Sequence, residues 1–334
     1  MRIGLAGAGR IGAFHATTLS GLDEVDEVVV TDVVPEAATR LGAEGGYSVA
    51  ADLQQLLGQV DALVVTSSTT AHADTVRAAV EAGIPTFCEK PVATTLEDTI
   101  DLVKVGEGSG VPVHVGFQRR FDAGYQRARD AVASGELGFV HTVRANTHDQ
   151  SPPPAAYIPT SGGLFRDCSI HDFDIIRFVT GREVASAFGI GANKGADFFT
   201  EGGDVDSCAA VLTLDDDTLV TVSATRYNGG GHDVRMEVMG SEGTIGVGYD
   251  DSLAVRSAEE GVDFPRGPQK WSFMERFLPA YRVELTAFCD VVAGRIESPC
   301  TVRDALAAFR IAEACELSRV SRQPVALSDI GGAP

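Results

Sequence analysis

The chain opens on Ile3-Gly4-Leu5-Ala6-Gly7-Ala8-Gly9-Arg10-Ile11-Gly12, an apolar run that passes directly into a G-x-G-x-x-G loop. The run reads as a first β-strand, and the segment after the loop suits a helix. A second strand-like run, Val28-Val29-Val30-Thr31, ends at Asp32, about 20 residues beyond the loop. The glycines permit a tight turn, close approach of backbone to a pyrophosphate, and tight helix–strand packing. The N–H groups and dipole at the start of the following helix favour phosphate charge. Strand, loop, helix and acid in this order point to a dinucleotide site.

Asp32 bears on which dinucleotide. A carboxylate there accepts hydrogen bonds from the adenosine ribose and repels a 2′-phosphate. Val33, Val34 and Pro35 follow, with no Lys or Arg to neutralise such a phosphate. NAD is therefore favoured over NADP. A cap for the helix after Pro35 is the other use open to Asp32.

Outward from this stretch, apolar strands alternate with helical segments to about residue 120. A helix near Pro35–Leu41 precedes a short strand at Tyr47-Ser48-Val49, and a helix over 52–57 leads to the run Asp61–Thr66. A helix over 71–82 stops at Gly83, before Pro85-Thr86-Phe87-Cys88. A helix starting from Thr95 (Thr-x-x-Asp, a capping-box pattern) then leads to Val111–Val115. Six short strands with intervening helices describe an α/β doubly wound parallel sheet.

The second part has another rhythm. Val140–Asn146, Ala209–Leu214, Thr218–Ala224 and Arg235–Met239 alternate or carry β-branched runs, separated by turns such as Asp215-Asp216-Asp217 and Gly229-Gly230-Gly231. This predicts an α+β domain built on a mainly antiparallel sheet, open on one face. Helices are expected near Ser169–Val179 and Arg303–Ser321. The expected division is 1–121 for dinucleotide binding and 122–334 for a second domain, with the C-terminal helix packing back on the first.

Composition narrows the partners. The 334 residues are 44% hydrophobic, enough for two cores, and the formal charge of −20 argues against nucleic acid and against an anionic membrane surface. No signal peptide is evident, and no apolar run reaches the ~18 residues of a membrane span. Cys88, Cys168, Cys208, Cys289, Cys300 and Cys315 are scattered, without a C-x-x-C pair. They read as reduced core residues of a cytoplasmic protein, Cys168 as packing.

Two further clusters carry chemistry. Glu89-Lys90-Pro91 follows the fifth strand, where ligands of open α/β sheets bind, although a surface Lys before a helix reads the same way. In Gly162-Gly163-Leu164-Phe165-Arg166-Asp167-Cys168-Ser169-Ile170-His171-Asp172-Phe173-Asp174, Asp167 and His171 are spaced i, i+4 on one helical face. A carboxylate one turn from an imidazole can orient it and raise its basicity. A helix cap followed by an interior histidine is the alternative. His148, Asp167 and His171 could ligate a metal, but no H-E-x-x-H or similar spacing supports one, so no metal is expected.

Glycine loop, Glu-Lys-Pro and Asp-x-x-x-His, in this order and at these separations, resemble the glucose–fructose oxidoreductase / inositol dehydrogenase / rhizopine catabolism (Gfo/Idh/MocA) family over nearly the whole chain. Val115–Asp122, Pro152-Pro153-Pro154 with Tyr157-Ile158-Pro159, and Ile170–Asp174 are similar to inositol 2-dehydrogenases in particular. The resemblance implies an N-terminal Rossmann domain, substrate binding and oligomerisation for 122–334, and a homotetramer that commonly pairs the open faces of the C-terminal sheets. For the cofactor NAD it implies Gly7, Gly9, Arg10, Ile11, Gly12, Asp32, Val33, Thr66, Ser67, His72, Glu89 and Lys90. For catalysis it implies Lys90, Asp167 and His171. For the polyol substrate it implies Lys90, Arg119, His148, Gln150, Asp167, His171 and His232. Arg119 also fits a salt bridge at the domain junction.

The implied chemistry removes a hydride from a secondary ring carbinol. His171 acts as general base, Lys90 stabilises the developing charge, and Asp167 orients the base and grips a neighbouring hydroxyl. Two stretches depart from the family pattern. His148-Asp149-Gln150 stands where inositol dehydrogenases usually carry His-Arg-Asn, and His232-Asp233-Val234-Arg235 where the family often has Tyr-Asp-Gln-Arg. No hydride-transfer residue changes, so the departures touch substrate identity rather than reaction type. Oxidation of myo-inositol leads the expectations. The same chemistry on scyllo-inositol or a pyranose sugar comes next, and a non-catalytic NAD-binding regulator is the reading from another class.

Overall fold

A computed structural model describes residues 1–250, 253, 255–262, 270 and 272–331. The chain divides into two compact units: Met1–Gln118 with Ala280–Leu306, and Arg119–Pro279 with Ala307–Ala333.

The first unit carries six strands: β1 (Arg2–Ala6), β2 (Glu27–Thr31), β3 (Ser48–Val49), β4 (Ala62–Val65), β5 (Thr86–Glu89) and β6 (Val113–Gly116). All pair in parallel, in the order β3-β2-β1-β4-β5-β6. This is the doubly wound order, with its switch point between β1 and β4. β4, β5 and β6 are buried at every residue, as expected of strands covered on both faces and written as continuous apolar runs. The connecting helices are α1 (Arg10–Leu19), α2 (Pro35–Gly45), α3 (Leu53–Leu57), α4 (Thr69–Glu81) and α5 (Leu96–Ser109). α5 starts where the capping pattern predicts. The Asp98 N–H donates to Thr95 Oγ1 at 3.0 Å, and that hydroxyl donates to the Asp98 carboxylate at 2.7 Å.

The second unit begins with α6 (Ala123–Ala133), β7 (Val140–His148), α7 (Ile170–Thr180) and β8 (Val184–Ala192). It continues with α8 (Phe198–Glu201), β9 (Ser207–Leu214), β10 (Leu219–Thr225), β11 (Asp233–Gly240) and β12 (Thr244–Val247). The long helices α9 (Phe273–Val292) and α10 (Val302–Ser321) each pass from one unit to the other, and β13 (Val325–Ala326) ends the sheet. The seven strands run in the order β12-β11-β7-β10-β9-β8-β13. Every pairing is antiparallel except β7 with β10. One face is buried, through Val143, Ala145, Val222 and Val238, while the other leaves Ile190, Val211 and Leu219 exposed.

Three expectations need correction. The first unit ends at Gln118 rather than 121, because Arg119 and Arg120 pair with aspartates of α7. The segment that rejoins the first unit, Ala280–Leu306, takes in the later part of α9 and only the start of the C-terminal helix, which from Ala307 onward lies in the second unit. Leu285, Phe288 and Cys289 of α9 are fully buried in one cluster with Ile3, Leu5, Val28 and Val64. Burial of a side chain the size of Leu285 or Phe288 stabilises by about 1.5–3 kcal/mol. Finally, α6, β8, α8, β12, α9 and β13 are additional to the elements anticipated. Pro279, a punctuating residue in a sequence, lies inside α9.

Candidate active site

The glycine loop bridges β1 and α1, and its three glycines do different things. Gly7 has φ +114°, and a Cβ there would lie 2.4 Å from the Ser67 backbone nitrogen. A Cβ on Gly12 would lie 1.9 Å from the Gly7 carbonyl oxygen, so this position fixes how closely helix meets strand. Gly9 has open space over its missing Cβ and is the N-cap of α1 without a side-chain cap bond. A helix start left open in this way suits an anion.

Asp32 closes the loop from the side. Its carboxylate accepts the Ala8 N–H at 2.6 Å and the Val34 N–H at 2.8 Å. A carboxylate has about four acceptor positions, so capacity remains for ribose hydroxyls. Val33 is 96% exposed and offers apolar surface beside it. Thr66 braces the loop, its hydroxyl donating to the Gly7 carbonyl at 2.8 Å. Among the described residues Ser67 Oγ is buried with no hydrogen-bond partner, which suits an atom that would meet a ligand. Glycines, Asp32 and Ser67 together fit a dinucleotide.

His72 and Glu89 make contacts within this unit. Both His72 ring nitrogens face backbone carbonyls, Pro91 O at 2.8 Å and Ser67 O at 3.1 Å, so the ring ties two loops together. Burial holds its pKa below the ordinary histidine value. Glu89 at the end of β5 meets His15 Nε2 at 2.7 Å and accepts the Lys90 N–H at 3.2 Å. Lys90 itself is half-buried, and the peptide to Pro91 is cis.

In the second unit, α7 is entered through a π-turn, Phe165–Ser169, that carries Asp167, with His171 half-buried in the first turn of the helix. Two buried ion pairs anchor the helix. Arg119 Nη1 donates to Asp172 at 2.6 Å while its Nη2 donates to Thr147 Oγ1 at 2.8 Å. Arg120 grips Asp174 with two bonds, at 2.6 and 2.8 Å. Arg119 thus forms a salt bridge within this unit. Burial pushes the Asp172 carboxyl up, against the pull of Arg119 and Thr147.

Asp167 is fixed from two sides. Arg226 Nη2 donates to one carboxylate oxygen at 2.6 Å, and the Tyr157 hydroxyl donates to the other at 3.0 Å. Burial and the adjacent Asp167 charge push the Tyr157 pKa up, keeping it a donor. Arg226 also reaches Asp149 Oδ2 at 3.2 Å and Cys168 Sγ at 2.9 Å, so Cys168 is part of a charged cluster rather than simple packing. Asp149 in turn lies 3.5 Å from His232 Nδ1.

His148 is not brought to this cluster. Side chains alternate along β7, and Thr147 points to α7. His148 points to the opposite face, with Ser223 Oγ at 2.9 Å, in a groove lined by Arg144, Asn146 and Val211. Gln150 is half-buried, and among the described residues its Oε1 has no hydrogen-bond partner. Arg226, Asp149 and Tyr157 are the cluster members that sequence reasoning left out of the site. The available signal was the lone basic residue between β10 and the Gly229-Gly230-Gly231 turn.

A doubly wound sheet with an NAD-type cradle, followed by a unit in which Asp167 is held by Arg226 and Tyr157 four residues before His171, is the plan of an NAD-binding oxidoreductase. A model of the oxidoreductase family with NAD-binding Rossmann fold matches residues 1–117, and a model of the GFO/IDH/MocA C-terminal domain matches residues 125–246. The chain belongs to the Gfo/Idh/MocA family. It is 40% identical to the myo-inositol dehydrogenase Hyg17 of Streptomyces leeuwenhoekii, over 96% of this chain and 98% of that one. The crystal structure of a myo-inositol dehydrogenase from Corynebacterium glutamicum superimposes with a TM-score of 0.88, at 32% identity and 98% and 99% coverage of the two chains. The scyllo-inositol dehydrogenase of Lactobacillus casei, solved with NAD(H) and scyllo-inositol, gives a TM-score of 0.88 at 28% identity, with 98% and 99% coverage. Among the described residues, no helix is long and apolar enough to cross a membrane.

Proposed function

We propose that this oxidoreductase removes a hydride from a secondary ring hydroxyl of a cyclitol, with myo-inositol, oxidised to 2-keto-myo-inositol, as the leading substrate. Bound NAD supplies the hydride acceptor. His171 takes the proton of the reacting hydroxyl, and Lys90 hydrogen-bonds the same oxygen and stabilises its charge. Asp167 orients the base and grips a neighbouring hydroxyl. The observation that carries this reading is Asp167 itself, a buried carboxylate fixed by Arg226 and Tyr157 four residues before a half-buried histidine. A carboxylate held this firmly acts by position. The similarity to inositol dehydrogenases over almost the full chain supports the substrate class.

The test is NADH formation from a panel of myo-, scyllo- and chiro-inositols, D-glucose and D-xylose, with NADP run in parallel. Turnover of myo-inositol with NAD is expected. Turnover of another polyol alone would favour the second reading, scyllo-inositol or a pyranose, to which the Asp149 and His232 departures point. His171 must be neutral to accept a proton, so kcat/KM is expected to rise towards alkaline pH; a flat profile between about pH 6 and pH 10 would remove it as the base. Lys90→Ala is expected to abolish turnover, and a biological role that survived it would favour a regulator. We further propose a homotetramer, supported by the exposed apolar Ile190, Val211 and Leu219 on the open sheet face and tested by light scattering. A cytoplasmic location is supported by six buried, unbridged cysteines.

A further inference from the structure

Three strand ends meet in the second unit. β7 pairs in parallel with β10 and antiparallel with β11, so His148 lies opposite both Thr225 and Asp233. The residues adjoining those ends are therefore neighbours: Asp149 after β7, Arg226 after β10, His232 before β11. Their side chains form a chain of contacts that leads from Asp167 to His232. Asp167 accepts from Arg226 Nη2, Arg226 Nη1 donates to Asp149 Oδ2, and Asp149 Oδ1 lies 3.5 Å from His232 Nδ1.

The far end of this chain is open. His232 is only 9% exposed, yet among the described residues its Nε2 has no hydrogen-bond partner. Gln150 Oε1, one residue from Asp149, is also buried without one. A buried polar atom left unsatisfied is costly unless a ligand or water completes it. A carboxylate beside one ring nitrogen fixes the tautomer and turns the other nitrogen into the contact atom. Burial opposes charge on Asp149, but the His232 ring and Arg226 outweigh it and hold the carboxyl below its ordinary range, as an acceptor needs. The two departures from the family pattern, Asp149 and His232, thus touch each other.

We propose that Asp149 and Arg226 are positioning residues for substrate recognition: Arg226 fixes Asp167 and Asp149 relative to one another, and Asp149 holds the Nδ1 proton of His232 so that Nε2 meets a hydroxyl of the polyol. This rests on the cyclitol reading for the identity of the ligand, but the Asp149–His232 link stands without it. Asp149 touches no substrate in this arrangement, yet it governs which ring hydroxyls the site accepts.

The experiment has two arms on the full-length protein. Asp149→Asn, His232→Gln and the double variant are assayed on the preferred cyclitol and its epimers. Each single change is expected to raise KM about tenfold with kcat altered less than about threefold, to shift the epimer ratio in the same direction, and to leave the double variant no worse than either single one. Additive effects, or an Asp149→Asn enzyme with unchanged KM and epimer ratio, would overturn the proposal. The second arm records ring-nitrogen NMR of 15N-histidine-labelled protein, with His232→Gln assigning the signal. A protonated Nδ1 in the unaltered protein, lost in Asp149→Asn, is expected; an unprotonated Nδ1 overturns the proposal even where a variant fails to fold. If the unaltered enzyme turns over no cyclitol, the substrate reading falls, and the NMR arm alone decides the positioning claim.

Discussion

The cofactor cradle and the Asp167 cluster are built from different materials. The cradle is mostly backbone: a glycine at φ +114°, a helix start without a side-chain cap, and two N–H groups held by Asp32. The cluster is almost entirely side chain, with Arg226 joining Asp167 and Asp149, and Arg119 and Arg120 anchoring α7. A backbone site needs residues that are absent, so its tolerance fails when atoms are added. A side-chain site needs charges in pairs, so its tolerance fails when one partner is removed.

That contrast orders the expected effects. The largest follows from unpairing a buried charge. Arg119→Met leaves Asp172, fully buried, without its guanidinium. The expected loss is about 3–5 kcal/mol, seen as a fall of roughly 10 °C in Tm by calorimetry. Adding Asp172→Leu should restore a large part, because an apolar pair of similar volume avoids the desolvation cost. A double variant no better than the single one would show that the aspartate does more than answer Arg119.

Next comes an added atom in the cradle. Gly7→Ala meets both a positive φ and the Ser67 backbone at 2.4 Å. NAD binding by titration calorimetry should weaken about 100-fold, the equivalent of about 2.7 kcal/mol of strain and lost approach. Gly9→Ala, with open space at its Cβ, is the control: it adds bulk only where a ligand would lie, so it should weaken NAD while leaving Tm near its original value. Equal effects of both on Tm would break the backbone account.

The same contrast explains what the sequence made legible. Glycine spacing, an acid at fixed distance and β-α alternation are local patterns, and they led to the six-stranded doubly wound sheet and to Gly7, Gly12 and Asp32. Asp167 and His171 were also local, four residues apart. Arg226 with Asp149, and Arg119 with Asp172, join residues far apart in the chain, and only the β7–β10 and β7–β11 registers bring the first pair and His232 together. The place of His148 was hidden for the opposite reason. Its neighbours in sequence belong to the cluster, but strand alternation turns it to the other face. α9 escaped notice because its Pro279 reads as a break, while the packing of Leu285 and Phe288 decides in favour of helix.

Asp32 gives a smaller effect and tests the cradle by charge. Asp32→Ala removes the acceptor for ribose hydroxyls and the repulsion of a 2′-phosphate together. NAD affinity should fall about tenfold, as expected for the loss of a charged hydrogen bond of about 1.5 kcal/mol, while NADP affinity rises. Unchanged preference would mean that Asp32 serves only its bonds to Ala8 and Val34.

The smallest effect comes from the one histidine that ties cradle loops together. Burial lowers the His72 pKa, so the folded ring resists a proton that the unfolded chain accepts. As pH falls below about 6.5, the ordinary histidine value, the unfolded state binds more protons, and the stability contributed by the neutral buried ring is lost down to the depressed folded pKa. Above that value both states are neutral and the contribution is complete. His148 is also shifted down by burial, but it sits on the groove face of the second unit, where Asp233 opposes the shift. The Tm loss between pH 7.5 and pH 5.5 should therefore shrink by about 2 °C in His72→Gln and by less in His148→Gln. His72→Gln lowers Tm at every pH by cutting its contacts to Ser67 and Pro91, of which a neutral ring donates to only one, so only the pH-dependent difference reads the proton. If the two variants respond alike, burial in the cradle weighs no more on a histidine than a place on the sheet face.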